Sequence, residues 1–241
     1  MTSTEWPGHV VTVTYWQEDA QHDNEYVAPE DVVDVSYRMR CRELPVDHVH
    51  ALSSALRDAL PWLRTAANAG VHPIYVAESG NGWQRPQDPD AALHLSRRTR
   101  LKLRLPTQRL PAARELVGRT LQVAGQDLSI GELTIKPLTT CATLFSRYVA
   151  SNHAHDEVRF LAEVSAHLHD LEVSTKRLVA GRLHSLRSPD GPVNARSLMV
   201  ANLSPAQSIR LQEQGLGPGR SFCCGLFVPH RGIDSVGDAR L

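Results

Sequence analysis

Apolar and polar positions alternate from Val33 to Cys41, where Val33, Val35, Tyr37, Met39 and Cys41 interleave with Asp34, Ser36, Arg38 and Arg40. A period of two marks a half-buried strand, because successive side chains point to opposite faces. The period then changes. Val49, Leu52, Leu56, Ala59, Leu60 and Leu63 share one helical stripe as far as Pro61-Trp62, with Asp47 offered as the N-cap. Pro73 to Ala77 reads as a short strand. LHLSRRTRLKLRL, residues 93–105, reads as a hairpin with Leu93, Leu95, Leu101, Leu103 and Leu105 on one side, His94, Lys102 and Arg104 on the other, and Arg97, Arg98 and Arg100 at the turn. PAARELVG (111–118) predicts a short helix stopped by glycine, and TLQVAGQDLSIG (120–131) returns as strand.

This order, β-α-β-β-α-β, is the split βαβ or ferredoxin-like plan, and it repeats. Residues 137–151 are β-rich, and 155–171 carry the stripe Phe160, Leu161, Val164, Leu168 and Leu171. Residues 177–203 fold back around Pro189-Asp190-Gly191. Ser204-Pro205-Ala206-Gln207 is a capping box with proline at its first helical position, opening a helix that stops at Gly215. A glycine-rich loop follows, then a final strand from Phe222 to Val228. The expected architecture is α+β, two tandem ferredoxin-like (RRM-like) domains. Residues 31–135 form the first and 136–230 the second, between an N-terminal extension (1–30) with no clear period and a tail (231–241).

Composition adds less than pattern. Apolar residues are 41% of 241 and no run reaches the roughly 18 residues of a membrane span, so the expectation is a cytoplasmic chain with no membrane partner. Cys41, Cys141, Cys223 and Cys224 form no C-x-x-C pair and read as reduced and mostly buried, with no metal site and no cofactor implied. His153/His155 and His167/His169 have a spacing that diverges on a helix, so they read as surface histidines. Net charge is zero, which argues against a general polyanion binder. Yet only Lys102, Lys136 and Lys176 are lysine among 26 cationic residues. Arginine supplies nearly all the positive charge, and it is the better fork for phosphate and the better stacker on bases. Aromatic residues are 5% and form no cluster in the sequence, which disfavours a module that stacks RNA bases on a sheet.

Three stretches carry a resemblance to a known family: LPVDHVHALSSALRDALPWL (44–63), GVHPI (70–74) and SPAQSIRLQEQGLGPGRSFCCGLFVP (204–229). Together they resemble the CRISPR-associated endoribonucleases of the RAMP superfamily that process repeat RNA, most of all the Myxan-subtype branch. The similarity spans roughly residues 31 to 230. Phe227 stands where many members carry another glycine. The resemblance implies a basic face that holds a repeat hairpin, and metal-independent cleavage at the 3′ base of its stem by the RNA's own 2′-hydroxyl, leaving a 2′,3′-cyclic phosphate and a 5′-hydroxyl. It implies CRISPR repeat RNA as partner, with other CRISPR effector subunits as a second class. The alternative within the superfamily is a subunit that binds CRISPR RNA without cutting it.

Such chemistry needs a base near the 2′-oxygen, a proton donor for the leaving 5′-oxygen and cations or N–H groups around the phosphorane. His48, in the first helical turn, is the first candidate for the base: a helix N-terminus disfavours imidazolium and attracts phosphate. His72, held extended by Pro73, is its rival, and His50, on the polar face, is third. Tyr37 reads as core, and Tyr75 is no better placed for catalysis. Gly215, Gly217, Gly219 and Arg220 are expected to let the backbone approach an anion, although a tight turn after the helix explains the glycines as well. Arg97, Arg98, Arg100, Lys102 and Arg104 are candidates to hold the hairpin's phosphates, with Arg182, His184 and Arg187 in a similar position.

Overall fold

The computed structural model describes residues 26–76, 86, 88–175 and 177–230. Most of the N-terminal extension, Ala77 and the tail from residue 231 lie outside them. The alternating segment forms β1 (Val32–Arg40), and β2 (Glu43–Pro45) leads into α1 (Val49–Ala59). The N-cap of α1 is His48, with no side-chain cap. Asp47 does not cap it: one of its carboxylate oxygens accepts the backbone N–H of Arg187, far along the chain, at 2.9 Å, and the other is buried without a hydrogen-bond partner.

The expected strand at 73–77 falls earlier, as β3 (Gly70–Val71). The His72 N–H still reaches the Lys102 carbonyl at 3.0 Å, but Pro73 has no N–H with which to continue the ladder. The expected hairpin at 93–105 is not one. β4 (Ala92–His94) pairs with β2, and β5 (Arg100–Pro106) has both edges taken, by β1 and β3. A short α2 (Leu110–Arg114) follows. The segment 120–131 is the hairpin rather than a single strand. β6 (Thr120–Val123) turns through Ala124 and Gly125, both at positive φ as a tight two-residue turn requires, into β7 (Gln126–Pro137).

The second half runs β8 (Leu144–Ala150), α3 (Glu157–Asp170), β9 (Arg177–Leu186), β10 (Val193–Ala201), α4 (Pro205–Gln214) and β11 (Val228–Pro229). Asp156 caps α3 through the N–H groups of Val158 and Arg159, and the capping box of Ser204 and Gln207 is formed. The final strand is shorter than expected. Residues 220–222 make a single 3-10 turn, and Cys223 and Gly225 sit at left-handed φ, which no extended strand tolerates.

Two antiparallel sheets result, ordered β3-β5-β1-β7-β6 and β11-β8-β10-β9, beside the small β2-β4 pair. In the first, Val33, Val35, Tyr37, Leu101, Leu103 and Leu105 pack with Leu52 and Leu56 of α1. Tyr37 is fully buried, and its hydroxyl donates to the Ala113 carbonyl at 2.9 Å, as a core tyrosine should. In the second, Leu144, Val149, Leu198 and Val200 pack with Phe160, Val164, Leu168 and Leu211. Tyr148, Ala150, Leu186, Ala195, Cys223 and Cys224 join the first core, so an apolar seam unites the halves. All four cysteines are free, and burial raises the thiols of Cys223 and Cys224 well above the usual range.

Candidate functional site

The three histidines of the matched stretches occupy different environments. His48 is 1% exposed. Its Nδ1 lies 2.9 Å from the Pro45 carbonyl, and the Ile74 N–H donates to its Nε2 at 3.2 Å. These partners fix a neutral ring with the proton on Nδ1 and the lone pair on Nε2. His72 is also enclosed, its Nε2 3.3 Å from an Asp34 oxygen. Burial pushes the His72 pKa down, against the pull of Asp34. His50 is half-buried, and its ring lies 6.2 Å from that of Phe222 in the glycine-rich segment.

Arg104 corrects an expectation. The β pattern places it on the polar side of its strand, yet it is completely buried. It forks onto Asp34 (Nε to Oδ1 2.8 Å, Nη2 to Oδ2 2.9 Å), and its Nη1 donates to the carbonyls of Gln212 and Phe227, each at 2.8 Å. Both acceptors belong to the second half, so Arg104 is a clamp across the seam and not a phosphate contact. Burial alone would raise the Asp34 carboxyl, but His72 and Arg104 beside it hold it well below the usual carboxylate range.

The glycine-rich loop turns inward as well. Gly215 has φ +68, and a Cβ there would collide with the Gly225 carbonyl oxygen; at Gly217, φ +71, a Cβ would stand 3.0 Å from the Ala150 oxygen. Gly219 is left-handed too. The backbone therefore requires glycine at these positions whatever lies outside. Arg220 reaches back to the carbonyls of Ala69 (3.2 Å) and Asn68 (3.1 Å), and its Nη1 is buried without a hydrogen-bond partner. Burial pushes its guanidinium down to about 10, which leaves it charged at neutral pH. The loop is bound to α1 by the Ser53 hydroxyl, which donates to the Ser221 carbonyl at 2.6 Å.

The remaining cations face outward. Arg97 and Arg98 are exposed at the turn before β5, Lys102 is exposed on the strand, and Arg100 folds its Nη1 onto the carbonyls of Arg97 and Thr99. In register, Arg100 lies directly opposite Arg38 of β1, and Lys102 opposite Ser36. Arg38 has an exposed ion pair with Glu132 at 3.4 Å. Arg187 is committed to Asp90 through both terminal nitrogens. Arg182 is exposed on β9.

Arg182 lines a groove of about 530 Å³ along the seam, together with Asp47, Tyr75, Arg147, Tyr148 and His184. The Arg147 guanidinium sits 5.5 Å from the ring centres of both Tyr75 and Tyr148, and its Nε donates to the Tyr148 hydroxyl at 3.0 Å. His184 meets Tyr148 edge-on, 5.0 Å between centroids. Sequence reasoning missed Arg147 and Tyr148 and set Tyr75 aside, because a loop of the first half and strand β8 of the second bring them together. His48 adjoins the groove in the chain: its neighbour Asp47 lines it, as does Tyr75, one residue past the Ile74 amide that caps His48.

The family model described as "Cas6 Crispr" matches residues 33–232. A protein of Myxococcus xanthus (strain DK1622), "CRISPR-associated endonuclease Cas6", is 34% identical over 197 residues, covering 82% of this chain and 81% of its own length. The chain belongs to the Cas6 family. Its fold agrees with solved members. A structure described as "CRISPR associated protein Cas6" superposes with a TM-score of 0.59 over 83% of this chain and all of that one, at 10% identity. A Cas6-related protein from Pyrococcus furiosus gives 0.56 over 82% and 98%, also at 10% identity. A Cas6 fold at such low identity leaves the site residues to be argued from this chain's own geometry. No helix among the described residues is long and apolar enough to cross a membrane.

Proposed function

We propose that this Cas6-family chain is an endoribonuclease that binds CRISPR repeat hairpins and cuts precursor CRISPR RNA at the 3′ base of the stem, without a metal, by attack of the 2′-hydroxyl. The observation that carries the reading is the relative named as an endonuclease, 34% identical over most of both chains. Each half is read as a ferredoxin-like unit. Numbered within its own half, the order second-third-first-fourth describes β3-β5-β1-β7, and its reverse describes β11-β8-β10-β9. Residues 31–135 and 136–230 are then the two domains, between an extension (1–30) and a tail (231–241).

His48 is assigned the general base. Its lone pair is on Nε2 in a neutral ring, the form that accepts a proton. To serve, Nε2 has to exchange the Ile74 N–H for the 2′-hydroxyl, a local shift of the segment that also carries Tyr75. Hydrogen bonds of catalytic groups commonly rearrange on substrate binding. The 2′-proton passes to Nε2, the O2′–P bond forms as the P–O5′ bond breaks, and a donor protonates O5′. Arg147 and Arg182 supply positive charge on the groove side, and Arg97, Arg98, Arg100 and Lys102 a second cationic strip for the hairpin's phosphates.

Incubation of the full chain with an end-labelled repeat hairpin in EDTA tests this directly. The expected result is one cut at the 3′ base of the stem. Binding without cutting would favour the non-cleaving RAMP subunit.

A further inference from the structure

The proposed reaction has no task for His72, although this histidine is buried and stands two residues before the amide that caps His48. Its backbone N–H continues the β3–β5 ladder by one bond, to the Lys102 carbonyl at 3.0 Å, and its ring Nε2 lies 3.3 Å from Asp34. The Asp34 carboxylate is itself fixed by the Arg104 fork, and Arg104 by the carbonyls of Gln212 and Phe227. Burial pushes the His72 pKa below its ordinary value, against the pull of Asp34 and with the help of Arg104 and Lys102, so the ring is neutral at pH 7. An ionised carboxylate only accepts hydrogen bonds, so the one ring proton of His72 is on Nε2 and is donated to Asp34. Backbone and ring together therefore fix His72 between β5 and β1. The next residue, Pro73, has its φ locked near −65° by the pyrrolidine ring, so a displaced His72 carries the Ile74 amide with it. That amide donates to His48 Nε2 at 3.2 Å. A continuous path thus runs from Gln212 and Phe227 through Arg104, Asp34 and His72 to the lone pair assigned to take the 2′-proton.

We infer that His72 is a positioning residue for the cleavage reaction: by donating its Nε2 proton to Asp34 it sets the Ile74 amide, and through that amide the aim of the His48 lone pair. The inference rests on the proposed reading of the chain as an endoribonuclease with His48 as base, and gives the rival histidine a different task. His72 neither touches RNA nor accepts a proton in this role. A side chain that donates from the same place without titrating can therefore replace it, which is not true of a general base.

The test compares His72→Gln with His72→Asn in the full chain. The Gln amide nitrogen stands about as far from the backbone as the ring Nε2, the Asn amide is one methylene short of Asp34, and neither titrates. Each variant is read by single-turnover cleavage of the repeat hairpin, by hairpin affinity, and by long-range proton–nitrogen spectra of 15N-histidine-labelled protein, with the His48 ring assigned from its absence in His48→Gln. His72→Gln should keep the wild-type rate and the wild-type His48 Nε2 resonance. His72→Asn should cut about tenfold or more slowly at unchanged affinity, because a small misplacement of a catalytic group can cost up to about 10²-fold. Its His48 Nε2 resonance should move. His72→Ala takes the place of the Asn variant if that one does not fold. A Gln variant as slow as the Asn variant, with the His48 resonance unmoved in both, would make His72 the base and overturn the inference. Normal cutting by the Asn variant would overturn it too, leaving His72 a plain core contact while the endoribonuclease reading stands. If the wild type binds the hairpin without cutting it, the endoribonuclease reading falls, and the His48 resonance alone decides whether His72 holds that ring.

Discussion

Replacing His48 by alanine removes a proton acceptor and two buried hydrogen bonds at once, and the two losses are separable. As general base, its loss should slow single-turnover cleavage by about 10²-fold or more. Leaving the Ile74 N–H and the Pro45 carbonyl unsatisfied should cost about 1–3 kcal/mol of stability, read from urea unfolding. His50→Ala, at a half-buried ring with neither contact, should cut at the normal rate; a normal rate in His48→Ala with a slow His50→Ala would move the base by two residues. Arg104 shows where residue-level reading stops. Alternation along β5 places it on the polar side, which is correct, but the cover over that side comes from Gln212 and Phe227, more than a hundred residues away. Nothing local to 93–105 announces it. Arg104→Ala should therefore destabilise the chain by about 3–5 kcal/mol, the scale for stranding a buried partner charge, here Asp34, rather than merely weaken RNA binding.

At the scale of elements, the strands and helices whose period is strong were legible from β1 through α1, α3 and α4, since burial on one face dictates that period. Pairing was not. The partner of β4 is β2, and local pattern cannot see that both edges of β5 are already taken. The glycine-rich loop is the sharper case: its glycines are readable, but which side they serve depends on what they touch. Gly215→Ala places a side chain at left-handed φ against the Gly225 carbonyl, so it should lower thermal stability before it affects RNA affinity. The contact of β1 and β5 with the residue that follows β3, through Asp34, Arg104 and His72, also sets a pH response. Both the His72 ring and the Asp34 carboxyl have pKa values below their ordinary ones, so each binds protons less readily folded than unfolded. Their contribution is complete above about 6.5 for His72 and about 3.9 for Asp34, and is lost as pH falls below those values. Urea midpoints should decline on acidification from pH 7 to 5, and His72→Gln should flatten that part of the curve.

Across the whole molecule, the two-sheet plan was visible in the repeated order of elements, whereas the groove was not, because Tyr75 reaches Arg147, on β8 of the second half, only once the halves close on the apolar seam. A low aromatic content argued against base stacking in sequence, and the fold sets two of the few tyrosines, Tyr75 and Tyr148, around one arginine, Arg147. The cationic strip before and along β5 belongs to the same scale. Replacing Arg97, Arg98 and Arg100 together by alanine should weaken hairpin binding and flatten its salt dependence, while an unaltered slope would make that strip an ordinary solvated edge. The central claim, that the RNA's own 2′-oxygen is the nucleophile, is tested by a repeat hairpin with a single 2′-deoxy substitution at the scissile nucleotide, compared with the all-ribose hairpin in EDTA. The account predicts equal binding of both, cleavage of the ribose substrate alone, and a 2′,3′-cyclic phosphate on its 5′ fragment. Cleavage of the deoxy substrate, or a cut that disappears with EDTA, would contradict it.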